Sequence, residues 1–338
     1  MTDRLYWWLR LRAVRGLGER SIKKLFLRWG DPEVIFKASW EELSLCVGPA
    51  KAEAIRRGSL SFDPEKVLSL VDKEGIRGVT LGDPLYPKLL AQIDDPPPVI
   101  FYIGELKPFE GIGVVGTRNP HPYSLKFTHR LVEKILEAGY AVVSGGARGI
   151  DQQAHHSCLD MGGYTLCFAG MGVLKAAEVL KSLVKKGAVL LSELLPHEGA
   201  DIHTYPRRNR LISGSSHMLV VVEAGETSGA LITAKTAHVQ RRPVWAHVGY
   251  GFSERWRGCI KLVNEGMAKL LAAPEDLLLE GSKPVKHTDP LLSLLELPRT
   301  LEDLVSLTGE DPVKILQQLT LYEMRGLVTK QGAYYMLT

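Results

Sequence analysis

Three short stretches combine small residues with arginine: Gly116-Thr117-Arg118, the run Ser144 to Asp151 with Gly145 and Arg148, and Tyr205-Pro206-Arg207-Arg208-Asn209-Arg210. Glycine lets the backbone turn sharply and bring its N–H groups near a ligand, and the arginine fork makes paired hydrogen bonds to phosphate oxygens. The chemistry on offer is phosphate binding. The competing reading of the same arginines is a structural ion-pair network with Glu193, Asp201 or Glu223. A further segment, Glu223 to Ala234, is expected to open a helix with Ser228 and Gly229 in its first turn, another potential anion site.

Other chemistries find less support. A G-x-G-x-x-G occurs at Gly111, Gly113 and Gly116, but two of these glycines precede or begin a strand instead of following it, so the dinucleotide fingerprint is rejected. No Lys-Ser/Thr pair follows a glycine run as a P-loop requires. Ser144 and Ser192 lack a His-Asp partner pattern, and His155 and His156 stand where histidine more often packs than catalyses. Cys46, Cys158, Cys167 and Cys259 form no C-x-x-C pair, which fits buried reduced thiols and no metal site. Neither a cofactor nor a catalytic residue is expected.

The arginine stretches need elements to place them. Strands are expected at Ile112 to Val115, Tyr140 to Val143, Thr165 to Phe168, Ala188 to Leu191, Met218 to Val222 and Val244 to Ala246, with helices between them. The clearest helix runs from Pro122 to Ala138 and stops at Gly139; another is expected after Asp151, with that residue as its cap. The alternation predicts a doubly wound, mostly parallel α/β sheet over 109–280, with ligands beyond the carboxyl ends of the strands. All three arginine stretches, read as loops, would then meet at one crevice.

Around this core, residues 1–60 read as short helices broken by Gly16-Leu17-Gly18, Gly30-Asp31-Pro32 and Val47-Gly48-Pro49. The glycine turn before Arg20, Lys23, Lys24 and Arg28 resembles a helix-hairpin-helix or SAM-like module. A helical packing domain with a solvated basic face is the plainer reading. Residues 61–108 read as a proline-rich extension with the first edge strand near Val99 to Tyr102. A linker over 281–290 precedes a helix-turn-helix with a two-stranded wing, a winged-helix shape over 291–338.

The chain has 338 residues, 45% apolar and 24% charged, with a net charge of +4, an ordinary globular composition. Its charge is uneven. Residues 1–30 hold eight Lys+Arg against two acids, whereas 281–338 hold six against seven. A polyanion would meet the front and middle of the chain before the tail, for which protein contact is favoured over DNA readout. Met1 to Arg20 never reaches the apolar length of a signal peptide or membrane span, so a cytoplasmic location and no membrane are expected.

The motifs Val114-Val-Gly-Thr-Arg118, Val143-Ser-Gly-Gly-Ala-Arg-Gly-Ile-Asp-Gln-Gln-Ala-His155, Ser192-Glu193, Pro206-Arg-Arg-Asn-Arg-Leu-Ile212 and Glu223 with Ser228-Gly-Ala-Leu-Ile-Thr-Ala234 closely resemble the DNA-processing protein A (DprA, Smf) family. The likeness is strong over residues 80–250. It implies an extended Rossmann-like domain that binds single-stranded DNA, forms a homodimer and loads RecA recombinase onto DNA entering during natural transformation, without catalysis. Family DNA contacts carry over to Gly116, Thr117 and Arg118, and further to Gly145, Arg148, Tyr205, Arg207, Arg208 and Arg210. The chain departs from the family at Gly170 to Lys175, at Ala246-His-Val-Gly249 and near Arg255 to Ile260.

The alternative is an enzyme similar to nucleotide phosphoribohydrolases, with Glu223 as the acid. Against it, Gly225-Glu-Thr-Ser-Gly229 stands where such enzymes carry Pro-Gly-Gly-x-Gly-Thr. A scaffold that binds protein partners only is the third reading.

Overall fold

Proline and glycine set the element boundaries from the first residues onward. The computed structural model describes residues 2–249, 253–277, 290–295, 299–324 and 327–337. Helices α1 (Thr2–Ala13), α2 (Glu19–Trp29), α3 (Pro32–Lys37), α4 (Trp40–Val47), α5 (Pro49–Arg57) and α6 (Pro64–Lys73) open the chain. Gly30 closes α2 at φ 71°, a left-handed turn that costs glycine least. The Asp31 side chain then caps α3, which begins with Pro32, and Asp63 and Pro64 start α6 in the same way.

The chain continues through β1 (Arg77–Thr80), α7 (Lys88–Gln92), β2 (Val99–Ile103), β3 (Gly111–Val115), α8 (Pro122–Glu137), β4 (Ala141–Ser144), α9 (Ile150–Asp160), β5 (Thr165–Phe168), α10 (Glu178–Lys185) and β6 (Val189–Ser192). It ends its first unit with α11 (Thr204–Gly214), β7 (Met218–Val221), α12 (Ala230–Val239), β8 (Val244–His247), α13 (Arg257–Asn264) and β9 (Lys269–Leu271). These strands form one nine-stranded sheet in the order β1-β2-β6-β5-β4-β3-β7-β8-β9. All neighbours from β6 to β9 are parallel, while β2 pairs antiparallel with both β1 and β6.

From β3 the chain winds outward through β4, β5 and β6, then returns to the other side of β3 for β7, β8 and β9. The sheet is doubly wound, and its direction of winding reverses between β3 and β7. Ligands of such sheets bind outside the carboxyl ends at this reversal.

Strand alternation divides the core between the two faces. Ile112, Val114, Val142 and Val220 pack with Phe127, Leu131 and Ile135 of α8 on one face. Val115, Val143, Leu219 and Val221 join a larger cluster on the other face, continuous with Trp8, Leu25 and Ile55 of the front helices. Residues 1–280 form one compact unit and 281–338 a second.

Several local expectations are corrected. The proline-rich stretch 61–108 contains α6, β1, α7 and β2, and the strand expected at the edge near Val99 to Tyr102 is β2, which lies inside β1. At four residues, β1 is too short to show a period. Tyr205 to Arg210 is no loop but part of α11, whose Pro206 sits in the first turn where its missing N–H breaks no helical bond. Asp151 lies one residue inside α9 and is not its cap, which is Gly149. Ser228 and Gly229 precede α12 instead of forming its first turn.

The second unit contains α14 (Pro290–Leu294), β10 (Arg299–Thr300), α15 (Leu301–Thr308), α16 (Pro312–Met324), β11 (Val328–Gln331) and β12 (Tyr334–Leu337), with sheet order β10-β12-β11. A Thr300–Asp303 capping box starts α15, and Gly309 ends it at φ 68°. Leu304, Ile315, Leu319, Val328 and Tyr335 form its core. Apart from Pro290, which opens α14, the expected linker over 281–290 lies outside the described residues. No helix among the described residues is long and apolar enough to cross a membrane.

Candidate nucleic-acid interface

An open groove of about 800 Å³ lies at the β3/β7 reversal. Its floor depends on close backbone approach. The Thr117 N–H donates to the Glu223 carbonyl oxygen at 2.7 Å, and the Ile150 N–H to the Thr117 carbonyl oxygen at 3.2 Å. A Cβ at Gly116 would come 2.6 Å from Ile150, and one at Gly149, where φ is +94°, would overlap the Thr117 carbonyl oxygen. The glycines let the segments after β3 and β4 cross in contact.

Arg118 and Tyr205 line this groove. Arg118 is exposed, and its guanidinium carbon lies 6.0 Å from the centre of the Tyr205 ring. That ring is 37% exposed and lies against the backbone of Gly170, where a Cβ would come 2.7 Å from it. Arg148 stands beside the groove, its Nε donating to the Arg118 carbonyl oxygen at 3.3 Å and its Nη2 to Asn119 Oδ1. Two exposed cations and a half-exposed aromatic face suit a phosphate-bearing ligand with stacking rings.

The arginines of α11 are placed differently. Arg208 lines the groove but is only 5% exposed, and its Nη1 donates to the carbonyl oxygens of both Gly145 and Phe168. Burial lowers its pKa, with Asp151 opposing. Arg210 is also buried; its Nη2 donates to Glu193 Oε2 at 2.6 Å and its Nη1 to the Asp95 carbonyl oxygen at 2.8 Å. Arg207 Nη2 pairs with Glu19 of α2 and lies 3.3 Å from Glu193 Oε2.

The ion-pair reading of these arginines therefore describes Arg207 and Arg210, with Glu193 as the shared carboxylate. Burial raises the Glu193 pKa, and Arg210 and Arg207 oppose it. Asp201 instead accepts the His203 and Thr204 N–H groups at 2.7 and 2.8 Å. Of the expected contacts, Gly116, Thr117, Arg118, Tyr205 and Arg208 line the groove, whereas Gly145, Arg148, Arg207 and Arg210 do not.

Titratable groups below the groove are shifted by burial. The Asp151 carboxyl is pushed up to about 6, against the pull of Arg208 and the Ala147 N–H. His155 is pulled down to about 3, its Nδ1 2.7 Å from Thr165 Oγ1, so it packs as a neutral ring. Ser144 Oγ donates to the Val114 carbonyl oxygen at 2.6 Å, and Ser192 Oγ accepts the Leu194 N–H at 3.1 Å. Neither hydroxyl is presented to a base. Among the described residues no cluster of three or more metal-ligating side chains occurs.

Sequence reasoning missed Asn119, Gly170 and Arg255 as parts of the site. Asn119 follows the Gly-Thr-Arg stretch directly, and Gly170 follows β5 by two residues, a position where small residues signal close approach. Arg255 carries no local signal beyond its departure from the family pattern.

Residues 77–281 match the protein family described as DNA recombination-mediator protein A. The chain is 35% identical over 250 residues to the DNA processing protein DprA of Bacillus subtilis, covering 71% of this chain and 84% of that one. It is 29% identical over 296 residues to Protein Smf of Synechocystis, covering 82% and 73%. The X-ray structure of DNA processing protein A from Streptococcus pneumoniae superposes with a TM-score of 0.68 at 29% identity, covering 80% of this chain and 96% of that one. A structure of DNA processing protein A from Helicobacter pylori, described in terms of its single-stranded DNA binding mode, shares the fold at a TM-score of 0.52 and 24% identity, covering 59% and 93%.

Proposed function

Since the chain belongs to the DNA recombination-mediator protein A family, we propose that it binds single-stranded DNA in the groove at the β3/β7 reversal. The observation that carries this reading is the grouping of Arg118, Arg148 and the Tyr205 ring beside one another at that edge. Backbone phosphates meet Arg118, Arg148 and the Thr117 side chain at the Gly116 turn, and an unstacked base lies on Tyr205. Single strands suit such a site because every base has a face to stack. Arg208 and Gly145 support the groove from below, while Arg207 ties α11 to Glu19 of α2 and Arg210 ties it to Glu193 and Asp95.

Membership makes the chain a DNA-processing protein and not a phosphoribohydrolase. Glu223, the acid that an enzyme would need, is buried and holds the His121 N–H and Arg255 instead. In this reading the protein protects incoming DNA during natural transformation, acts as a homodimer in the cytoplasm and delivers the strand to RecA recombinase. The second unit, read as a winged helix, serves protein contact.

The test is fluorescence anisotropy of the full chain with labelled single-stranded and duplex oligonucleotides of one sequence. Preference for the single strand, weakened by salt, is expected. Equal or stronger binding of the duplex would overturn the proposal.

A further inference from the structure

The segment after β8 places one more arginine in the groove. Trp256, only 1% exposed, donates from its indole nitrogen to the Val222 carbonyl oxygen at 3.2 Å. The Gly258 N–H donates to the Ala224 carbonyl oxygen at 2.9 Å, an approach so close that a Cβ at Gly258 would come 2.8 Å from that oxygen. The turn Glu254–Trp256 is thereby fastened to the end of β7, and it presents Arg255 to the groove.

Among the described residues Arg255 is held at one nitrogen only. Its Nη1 donates to the Asn119 carbonyl oxygen at 2.9 Å and to Glu223 Oε1 at 3.1 Å. Glu223 is itself fixed, being 1% exposed, with Oε2 accepting the His121 N–H at 2.8 Å. A guanidinium carries five N–H donors. Nε and Nη2 of Arg255 make no hydrogen bond among the described residues, and the side chain is 49% exposed. Those donors form the edge that grips a phosphate in the paired geometry.

Charge makes this residue decisive. The groove lining holds Arg118, Arg208 and Arg255 against Asp151, Glu223 and Glu254, the last paired with Arg257 outside it. Without Arg255 the remaining Arg118 and Arg208 only balance Asp151 and Glu223, so no positive charge is left over for a phosphate, and the buried Glu223 carboxylate loses its guanidinium partner.

We infer that Arg255 is a phosphate-contacting residue of the groove, and that Glu223 is a positioning residue that aims it. The inference rests on the single-stranded DNA reading and adds a contact from an element outside the three arginine stretches.

The experiment measures affinity for a labelled oligothymidylate across a salt series, with thermal melting of every variant. Arg255→Ala is expected to weaken binding and to flatten the log–log salt slope by about 0.7, the share of one neutralised phosphate on a single strand. Arg255→Lys retains the slope at reduced affinity, because the charge stays and the fork is lost. Arg255→Ala with Glu223→Gln regains part of the affinity but not the slope, since it removes repulsion without restoring the contact. If Arg255→Ala melts lower yet keeps the wild-type slope while Arg118→Ala flattens it, Arg255 is a brace and the inference fails. If Arg118→Ala also leaves the slope unchanged, the groove reading fails with it. Arg255→Gln, which can retain the bond to Asn119, gives the same readout should the alanine variant not fold.

Discussion

One nitrogen of Arg208 donates to the carbonyl oxygen of Gly145, and the space that a side chain at position 145 would fill is occupied by that guanidinium. The same nitrogen reaches the Phe168 carbonyl oxygen, so a buried cation ties together the carboxyl ends of β4 and β5. Arg208 thus determines the shape of the loop that carries Arg148.

Arg208→Ala should therefore act on stability first. It leaves two inward-facing carbonyl oxygens without a donor, at about 1–3 kcal/mol each. Gly145→Ala should destabilise in the same direction by displacing the guanidinium. Thermal unfolding checks both. Full stability of Arg208→Ala with lost DNA binding would instead make Arg208 a direct ligand.

Acid titration should expose Asp151. Its folded pKa, about 6, lies above the ordinary aspartate value of 3.8. The folded state then binds the proton more tightly, so this stabilisation is present below pH 4 and lost as pH rises through 6. Wild type should lose roughly 3 kcal/mol relative to Asp151→Asn over that window, since each tenfold gain in proton affinity is worth about 1.4 kcal/mol. His155, pulled down to about 3, contributes oppositely, with stability lost as pH falls below 6.5, and it cancels in this comparison. Urea unfolding of both proteins at pH 4 and pH 7 gives the difference; a constant difference would contradict the assignment.

The two ends of the arginine network should differ in weight. Arg210→Ala leaves Glu193, whose side chain is 3% exposed, with the more exposed Arg207 at 3.3 Å as its remaining cation, and breaking a buried pair this way costs up to about 3–5 kcal/mol. Glu19→Ala removes a partner of Arg207, but both side chains are partly solvated, at 28% and 44%, so the loss should stay within about 1 kcal/mol. Denaturant midpoints rank the two variants, and equal losses would count against the burial argument.

Tyr205 should matter as a ring and not as a phenol. Tyr205→Phe should bind single strands nearly as well as wild type, whereas Tyr205→Ala should lose roughly 1–3 kcal/mol, the contribution of one stacked base. Gly170→Ala should imitate the alanine variant by pushing the ring off its seat. Anisotropy titrations with an oligothymidylate decide this; full binding by Tyr205→Ala would rule out the ring as a stacking platform.

The central strands were legible because each is a short apolar run followed by small residues, as at Ile112–Val115 before Gly116 and Thr165–Phe168 before Ala169-Gly170. The helical state of Tyr205 to Arg210 was not, since a proline followed by charged residues resembles a loop until the first-turn placement of Pro206 is seen. The burial of Arg208 and Arg210 was equally hidden. Their partners Gly145, Phe168, Asp95 and Glu193 come from other strands and loops, and only the closed sheet brings them within bonding distance. Glycine and arginine marked the groove, but which arginines face solvent depended on tertiary packing.

The function proposed for the groove depends above all on Arg118 contacting a phosphate of a single strand bound at the β3/β7 reversal. The most direct measurement is the salt dependence of oligothymidylate affinity for wild type and Arg118→Ala. Weaker binding with a log–log slope flatter by about 0.7 is predicted. Unchanged affinity and slope in a folded Arg118→Ala protein would contradict it.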